Sequence, residues 1–236
     1  MTIKFEVCAG SLNSAIIADK GGADQIELCS ALSVGGLTPS IGLIDLVKSS
    51  VNIPVHVLIR PREGNFNYTK LEKSIIIKDI IEAKKYKIDG IVVGALTTTN
   101  EIDIDFMMEL KNAAGEISCT FHRAFDLIQN KFKSIDLLID LNFKRILTSG
   151  GKTNAWSGRD QLKKIISYAG KGIEIMAGGG INKTNAKHLI EFTNVTSIHS
   201  SAKSMSTKQA DSLFPDEIES DLQHILTIKQ ILKDFN

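Results

Sequence analysis

The 236-residue chain predicts an α/β fold, a single-domain (β/α)8 TIM barrel spanning residues 1–236, and three observations carry that prediction. Short apolar runs alternate with longer helical patterns, the alternation repeats eight times, and polar residues (Glu6, Glu27, His56 and Arg60) fall inside the strand runs. Strict βα alternation calls for parallel strands covered by helices, and eight repeats in a chain near the roughly 250-residue norm point to a closed ring. The rival is an open doubly wound sheet, but a barrel bore pairs polar side chains that a flat buried sheet tolerates less readily.

The first unit is a strand at 3–8 and an alanine-containing helix at about 12–20. A strand at 25–29 follows, then a loop at 34–39 with Gly35 and Gly36, and a helix at about 40–50. Strand three, 55–60, passes through Arg62, Gly64 and Phe66 to a helix whose buried face is expected from Leu71, Ile75, Ile77, Ile80 and Ile81. Strand four, 90–94, leads through a polar loop to a helix with Phe106, Met107 and Leu110. Strand five is 117–121, and the next helix carries Ile135, Leu138 and Ile139. Strand six, 145–147, meets a Gly150–Gly151 turn and a helix with Leu162, Ile165 and Ile166. Strand seven, 173–177, ends in Gly178, Gly179 and Gly180 before a helix at about 182–192, and strand eight is 196–199. A polar segment at 203–217 separates it from a closing helix with Leu222, Ile225 and Leu226.

Composition narrows the function classes. With 28 basic residues against 27 acidic ones, no bulk charge favours nucleic acid or an anionic membrane surface. The first ten residues carry Lys4 and Glu6 where a secretory signal needs an apolar core, and no later run approaches the roughly 18 apolar residues of a membrane span. A cytoplasmic protein is the expectation. Cys8, Cys29 and Cys119 are an odd, sparse set without CxxC spacing, which argues for reduced thiols over a disulfide framework or structural zinc.

The chemistry concentrates at predicted strand ends, above all in Thr120, Phe121, His122, Arg123, Ala124, Phe125 and Asp126. In a barrel, the carboxyl ends of the strands form the active face, and the loops after strands seven and eight commonly hold an anion. Gly178, Gly179 and Gly180 can aim N–H groups at such a ligand, with the following helix start and the hydroxyls of Ser200 and Ser201. The plainer alternative is a tight turn under close packing. Glu27, Arg60, His122, Arg123, Asp126 and His199 form the candidate catalytic group: imidazole or carboxylate as acid or base, guanidinium as clamp. That set suits proton abstraction or aldol-type chemistry on a small anionic or phosphorylated metabolite. An ion network filling the bore is the competing account, and it suits Glu6, Glu27 and His56 better than the strand-end residues. Lys203, just past strand eight, is the one lysine placed for Schiff-base chemistry.

Two Glu-x-Cys steps, Glu6 with Cys8 and Glu27 with Cys29, lie on consecutive strands. A spacing of two puts each pair on one strand face, so both thiols can point into the barrel mouth. Soft thiolates suit Cu(I), although a buried free cysteine also serves as a small apolar filler.

The strings ELC at 27–29, GGLTPS at 35–40, the IPVH and IRPREGNFNY segments within 53–68, TFHRAFD at 120–126, LTSG at 147–150, AGGGI at 177–181 and HSSA at 199–202 resemble the CutC copper-homeostasis family. The match in order and spacing runs over roughly 5–202. The resemblance implies a (β/α)8 barrel, a cytosolic location, homo-oligomers and a role in copper handling. Similar proteins carry cysteine at the positions of Cys8 and Cys29, so the resemblance assigns Cu(I) binding to that pair. The chain beyond Ala202 matches no pattern of the family and reads as a lid over the barrel mouth or an oligomer contact.

Overall fold

A computed structural model describes residues 2–203 and 219–235. Eight strands close into a parallel barrel in the order β1 to β8: Lys4–Ala9, Gln25–Leu28, Val55–Leu58, Gly90–Val93, Ser118–Phe121, Arg145–Thr148, Glu174–Ala177 and Ser197–Ser200. The helices α1 to α8 that cover them are Leu12–Lys20, Ile41–Ser50, Lys70–Lys84, Ile104–Ala114, Lys131–Asp140, Arg159–Ala169, Ala186–Thr193 and Leu222–Lys233. The ring is sealed by β1 pairing with β8, where Glu6 is opposite His199, and with β2, where Cys8 is opposite Glu27.

Side chains at helix starts set most boundaries by accepting the otherwise orphaned N–H groups. Ser40 caps α2 through Leu43 N, Asp103 caps α4 through Phe106 N, Asn130 caps α5 through Lys133 N and Asp221 caps α8 through His224 N. Thr69 and Glu72 form a reciprocal capping box on α3. The helix expected from about residue 182 begins at Ala186 instead. Asn182 Oδ1 accepts from Thr184 N, and Asn185 Oδ1 accepts from Asn182 N, so side chains hold a turn where helical bonds would otherwise start.

The apolar face expected on α3 is also corrected. Ile76, Ile80 and Ala83 face the barrel, whereas Leu71 is 79% exposed and Ile75 and Ile81 are about half exposed. The isoleucine-rich run satisfies two overlapping 3.6-residue stripes, and only packing chooses between them. Leu226 on α8 is likewise exposed, with Ile225, Ile228 and Leu232 turned inward. The main core is the ring between sheet and helices, where Phe5, Phe121, Ile26, Ile91 and Met107 are fully buried. The polar stretch at 203–217 lies, beyond Lys203, outside the described residues.

Candidate functional site

A cavity of about 410 Å³ opens at the carboxyl ends of the strands. Its wall draws Cys8 from β1, Glu27 from β2, Arg60 beyond β3, His122 and Arg123 beyond β5, Gly179 and Gly180 beyond β7, and His199, Ser200 and Ser201 from the end of β8. Residues far apart in sequence thus share one chamber, as strand closure requires. Leu58, Phe66 and Leu147 give it an apolar side.

Below the cavity, the bore holds an ion network. Glu6, 2% exposed, receives a 2.7 Å hydrogen bond from His199 Nδ1 and one from Gln25 Nε2. Arg145 reaches across to it at 3.5 Å and binds Glu174 at 3.1 Å. Burial opposes the charge on Glu6, but the His199 bond and the surrounding cations prevail and lower its pKa. Burial also opposes protonation of His199; the Glu27 charge and the Glu6 bond outweigh it, and its pKa is raised.

Glu27 is the site's other buried carboxyl group. Its Oε1 accepts from the Cys8 thiol at 3.4 Å, while Oε2 has no partner among the described residues. Burial pushes its pKa up to about 6, the Glu6 charge adding to the rise while His199 opposes it. Cys8 Sγ is 3.5 Å from Cys29 Sγ, and both cysteines are free and buried. Only Cys8 lines the cavity; Cys29 sits behind it against Leu58 and Gly36, its thiol turned to Ala9 O at 3.7 Å. The Cys29 bond, burial and the Glu27 charge drive the Cys8 pKa well above the ordinary thiol value. Ligand atoms of Cys8, Glu27 and His199 all lie within 4.8 Å of one another, a spacing from which three donors can reach one ion.

His122 has a settled tautomer. Its Nδ1 accepts Ala124 N–H at 3.2 Å, which leaves the ring proton on Nε2. The ring packs against Phe66 with centroids 4.7 Å apart. Burial first, and then the Arg60 charge, lower its pKa to about 3, so the imidazole is neutral at physiological pH. Arg60 itself holds the loops together: Nη1 donates to Val34 O and Gly36 O, and Nη2 donates to Gly64 O.

Asp126 lies outside the cavity lining, behind Arg123. It accepts from Arg123 Nε (2.8 Å), Thr148 Oγ1 (2.6 Å), Ser149 Oγ (2.9 Å) and Gly151 N (2.9 Å), tying the loop after β5 to the loop after β6. Asp126→Ala is expected to destabilise the fold by about 3 kcal/mol, because several donors lose a charged acceptor together. Urea unfolding measures this, and a loss under about 1 kcal/mol would show that the loops hold without it. Gly178 N donates to Thr148 O, and Ser200 Oγ donates to Ile181 O and accepts Ala202 N, so both are engaged within the fold.

Sequence reasoning did not single out Arg145, Phe66 or Leu147 as site residues. One overlooked signal was Gly94, where an added Cβ would stand 2.6 Å from the His122 ring; Gly90 has the same relation to His56. Glycine at these positions marks where an imidazole lies across the neighbouring strand.

The chain is thus a closed (β/α)8 barrel whose rim gathers a thiol, a carboxyl, two imidazoles and two guanidinium groups around one chamber. The CutC family model matches residues 3–204, and the chain belongs to that family. It is 45% identical over 200 residues to the human copper homeostasis protein cutC homolog, covering 85% of this chain and 73% of that protein. Identity to a CutC family protein of Photobacterium profundum is 42% over 204 residues, covering 86% and 83% of the two chains. The crystal structure of a CutC from Streptococcus agalactiae superposes with a TM-score of 0.81 at 37% identity, over 84% of this chain and 98% of that one. Among the described residues, no helix is long and apolar enough to cross a membrane.

Proposed function

We propose that the protein serves copper homeostasis in the cytosol by binding Cu(I) through Cys8 and Cys29. The observation that carries this reading is the 3.5 Å approach of the two sulfur atoms beside Glu27. Two thiolates are the donors that Cu(I) prefers, and the ligand atoms of Glu27 and His199 lie within 4.8 Å of Cys8 Sγ. Copper is cargo here. Because the Cys8 thiol holds its proton well above the ordinary range, the ion displaces protons as it binds, and affinity rises with pH. Burial of both thiols keeps them from bulk oxidants. Self-association belongs to the same reading, supported by outward apolar side chains on α3 and α4, among them Leu71, Ile75, Ile104 and Met108.

Replacing both cysteines (Cys8→Ser with Cys29→Ser) is expected to abolish stoichiometric Cu(I) binding under reducing conditions, measured by competition with a chromophoric Cu(I) chelator. Cys8→Ser alone is expected to weaken binding by at least about 100-fold, since it also removes the sulfur that faces the cavity. Unchanged stoichiometry in the double variant rejects the assignment.

A further inference from the structure

Several polar atoms of the residues on the chamber wall have no partner among the described residues, and the thiol pair does not engage them. The first is His122 Nε2, a buried N–H donor without an acceptor among the described residues. The second is Glu27 Oε2, a buried carboxyl oxygen without a donor. An unsatisfied buried polar atom is costly, and two on one cavity wall mark places where a ligand completes the bonding. The third feature is a corner built by Arg123 and the glycine loop. Arg123 is anchored through Nε and Nη2 on Asp126, Ser149 and the Lys152 carbonyl, while Nη1 makes no hydrogen bond among the described residues. A Cβ at Gly179 would stand 3.3 Å from that Nη1, so the guanidinium edge lies against the glycine backbone. Gly179 and Gly180 have φ of +97° and +73°, and their N–H groups donate to nothing among the described residues. Consecutive free N–H groups beside a fixed cation form an anion cradle. Lys203 adds a further cation to the lining.

We propose that this chamber is a proton-transfer site for a small phosphate monoester bearing a carbonyl group, with the phosphate on Arg123, Gly179 and Gly180, the carbonyl oxygen on His122 and Glu27 as the base. A volume of about 410 Å³ suits such a molecule. In the reaction, a Glu27 oxygen takes the proton from the carbon next to the carbonyl and that C–H bond breaks. Its electron pair becomes a C=C bond, and the carbonyl π pair moves onto oxygen, where His122 Nε2–H stabilises the negative charge as a neutral donor. The proton then returns from Glu27 to carbon. No oxidant, reductant or second substrate enters the balance. Because burial and Arg60 keep the imidazole uncharged, His122 acts as a hydrogen-bond donor and Glu27 moves the proton.

The test uses copper-free, reduced, full-length protein, which separates its outcome from the Cu(I) reading. Dihydroxyacetone phosphate and inorganic phosphate are the probes, glyoxylate is the carboxylate comparison, and the readouts are calorimetry, imidazole ¹⁵N NMR and deuterium uptake at carbon in D₂O. Both phosphate probes are expected to bind, Gly180→Ala to weaken them about tenfold, and dihydroxyacetone phosphate alone to shift the His122 Nε2–H resonance. Glu27→Gln is expected to slow deuterium uptake at least about 100-fold while leaving binding within about threefold. Should Gly180→Ala fail to fold, the His122 resonance of the wild-type protein reports occupancy of the same chamber. Absence of phosphate binding, a His122 resonance unmoved at saturation, or equal exchange rates in wild type and Glu27→Gln would each overturn the proposal. Glyoxylate binding as tightly as the phosphates would overturn the choice of phosphate.

Discussion

Glu6→Gln is expected to lower stability by about 3–5 kcal/mol, the cost of removing one partner from a buried charge set. Glutamine keeps the shape and a hydrogen bond to His199, so the loss isolates the charge. Arg145 would retain Glu174 at 3.1 Å but lose its other carboxylate, and its Nε and Nη1 already lack hydrogen-bond partners among the described residues. His199 would lose an anionic acceptor that helps keep its pKa raised, despite burial that lowers it. Combining Glu6→Gln with Arg145→Met is expected to recover at least half of the loss, because the uncompensated guanidinium goes with its partner. Urea midpoints at pH 7 measure both variants. A single-variant loss under about 1 kcal/mol would mean that the bore is hydrated and the network peripheral to stability.

This distinction between structural and chemical carboxylates marks where legibility in the sequence ends. The alternation of strand and helix, the count of eight and the polar strand ends were readable because each follows from a local periodicity or a residue type out of place. The convergence of Cys8, Glu27, Arg60, His122, Arg123 and His199 on one chamber followed from closure. What the sequence did not determine was each group's engagement. Glu6 and Glu27 are the same residue type, two positions before a cysteine on adjacent strands, yet register places Glu6 opposite His199 and Glu27 opposite Cys8. One carboxylate is therefore consumed by the network, and the other keeps a free oxygen at the cavity. Arg60 and Arg123 looked alike as clamps, but Arg60 is bonded to three backbone carbonyls and Arg123 keeps one free nitrogen. Asp126, expected beside them, turned inward because donors from another strand end were there to receive it. Such outcomes depend on loop carbonyls and neighbouring strand ends, which no local pattern encodes. The phase of α3 failed for a related reason, since two apolar stripes were available and only the sheet beneath selects one.

Acid should destabilise the protein through its buried neutral imidazoles. His122 titrates at about 3 in the fold, held down by burial and by Arg60, against 6.5 in the unfolded chain. As pH falls below 6.5, the unfolded chain takes up a proton that the native state refuses, so stability declines down to pH 3. At pH 4 that difference amounts to about 3 kcal/mol. His56, lowered to about 4 chiefly by burial, adds a further loss of roughly 3 kcal/mol over the same interval. Glu27 acts the other way: with its pKa raised from 4.5 to about 6, chiefly by burial, it binds a proton in the native state first. Its contribution is present at low pH and is lost as pH rises through 6, which returns about 2 kcal/mol on acidification. His199, whose raised pKa also favours the protonated native state, loses its contribution only as pH rises. These three quantified groups together predict a net loss of about 4 kcal/mol between pH 7 and pH 4, a large share of the 5–15 kcal/mol that holds a typical domain. His122→Gln removes the largest of these opposing protonations and leaves a net loss of about 1 kcal/mol, so its urea midpoint should change only about a quarter as much with pH as that of the wild type. An unaltered pH slope in His122→Gln would mean that the ring is already charged or solvated in the native protein, and the neutral-donor role given to it would fall as well.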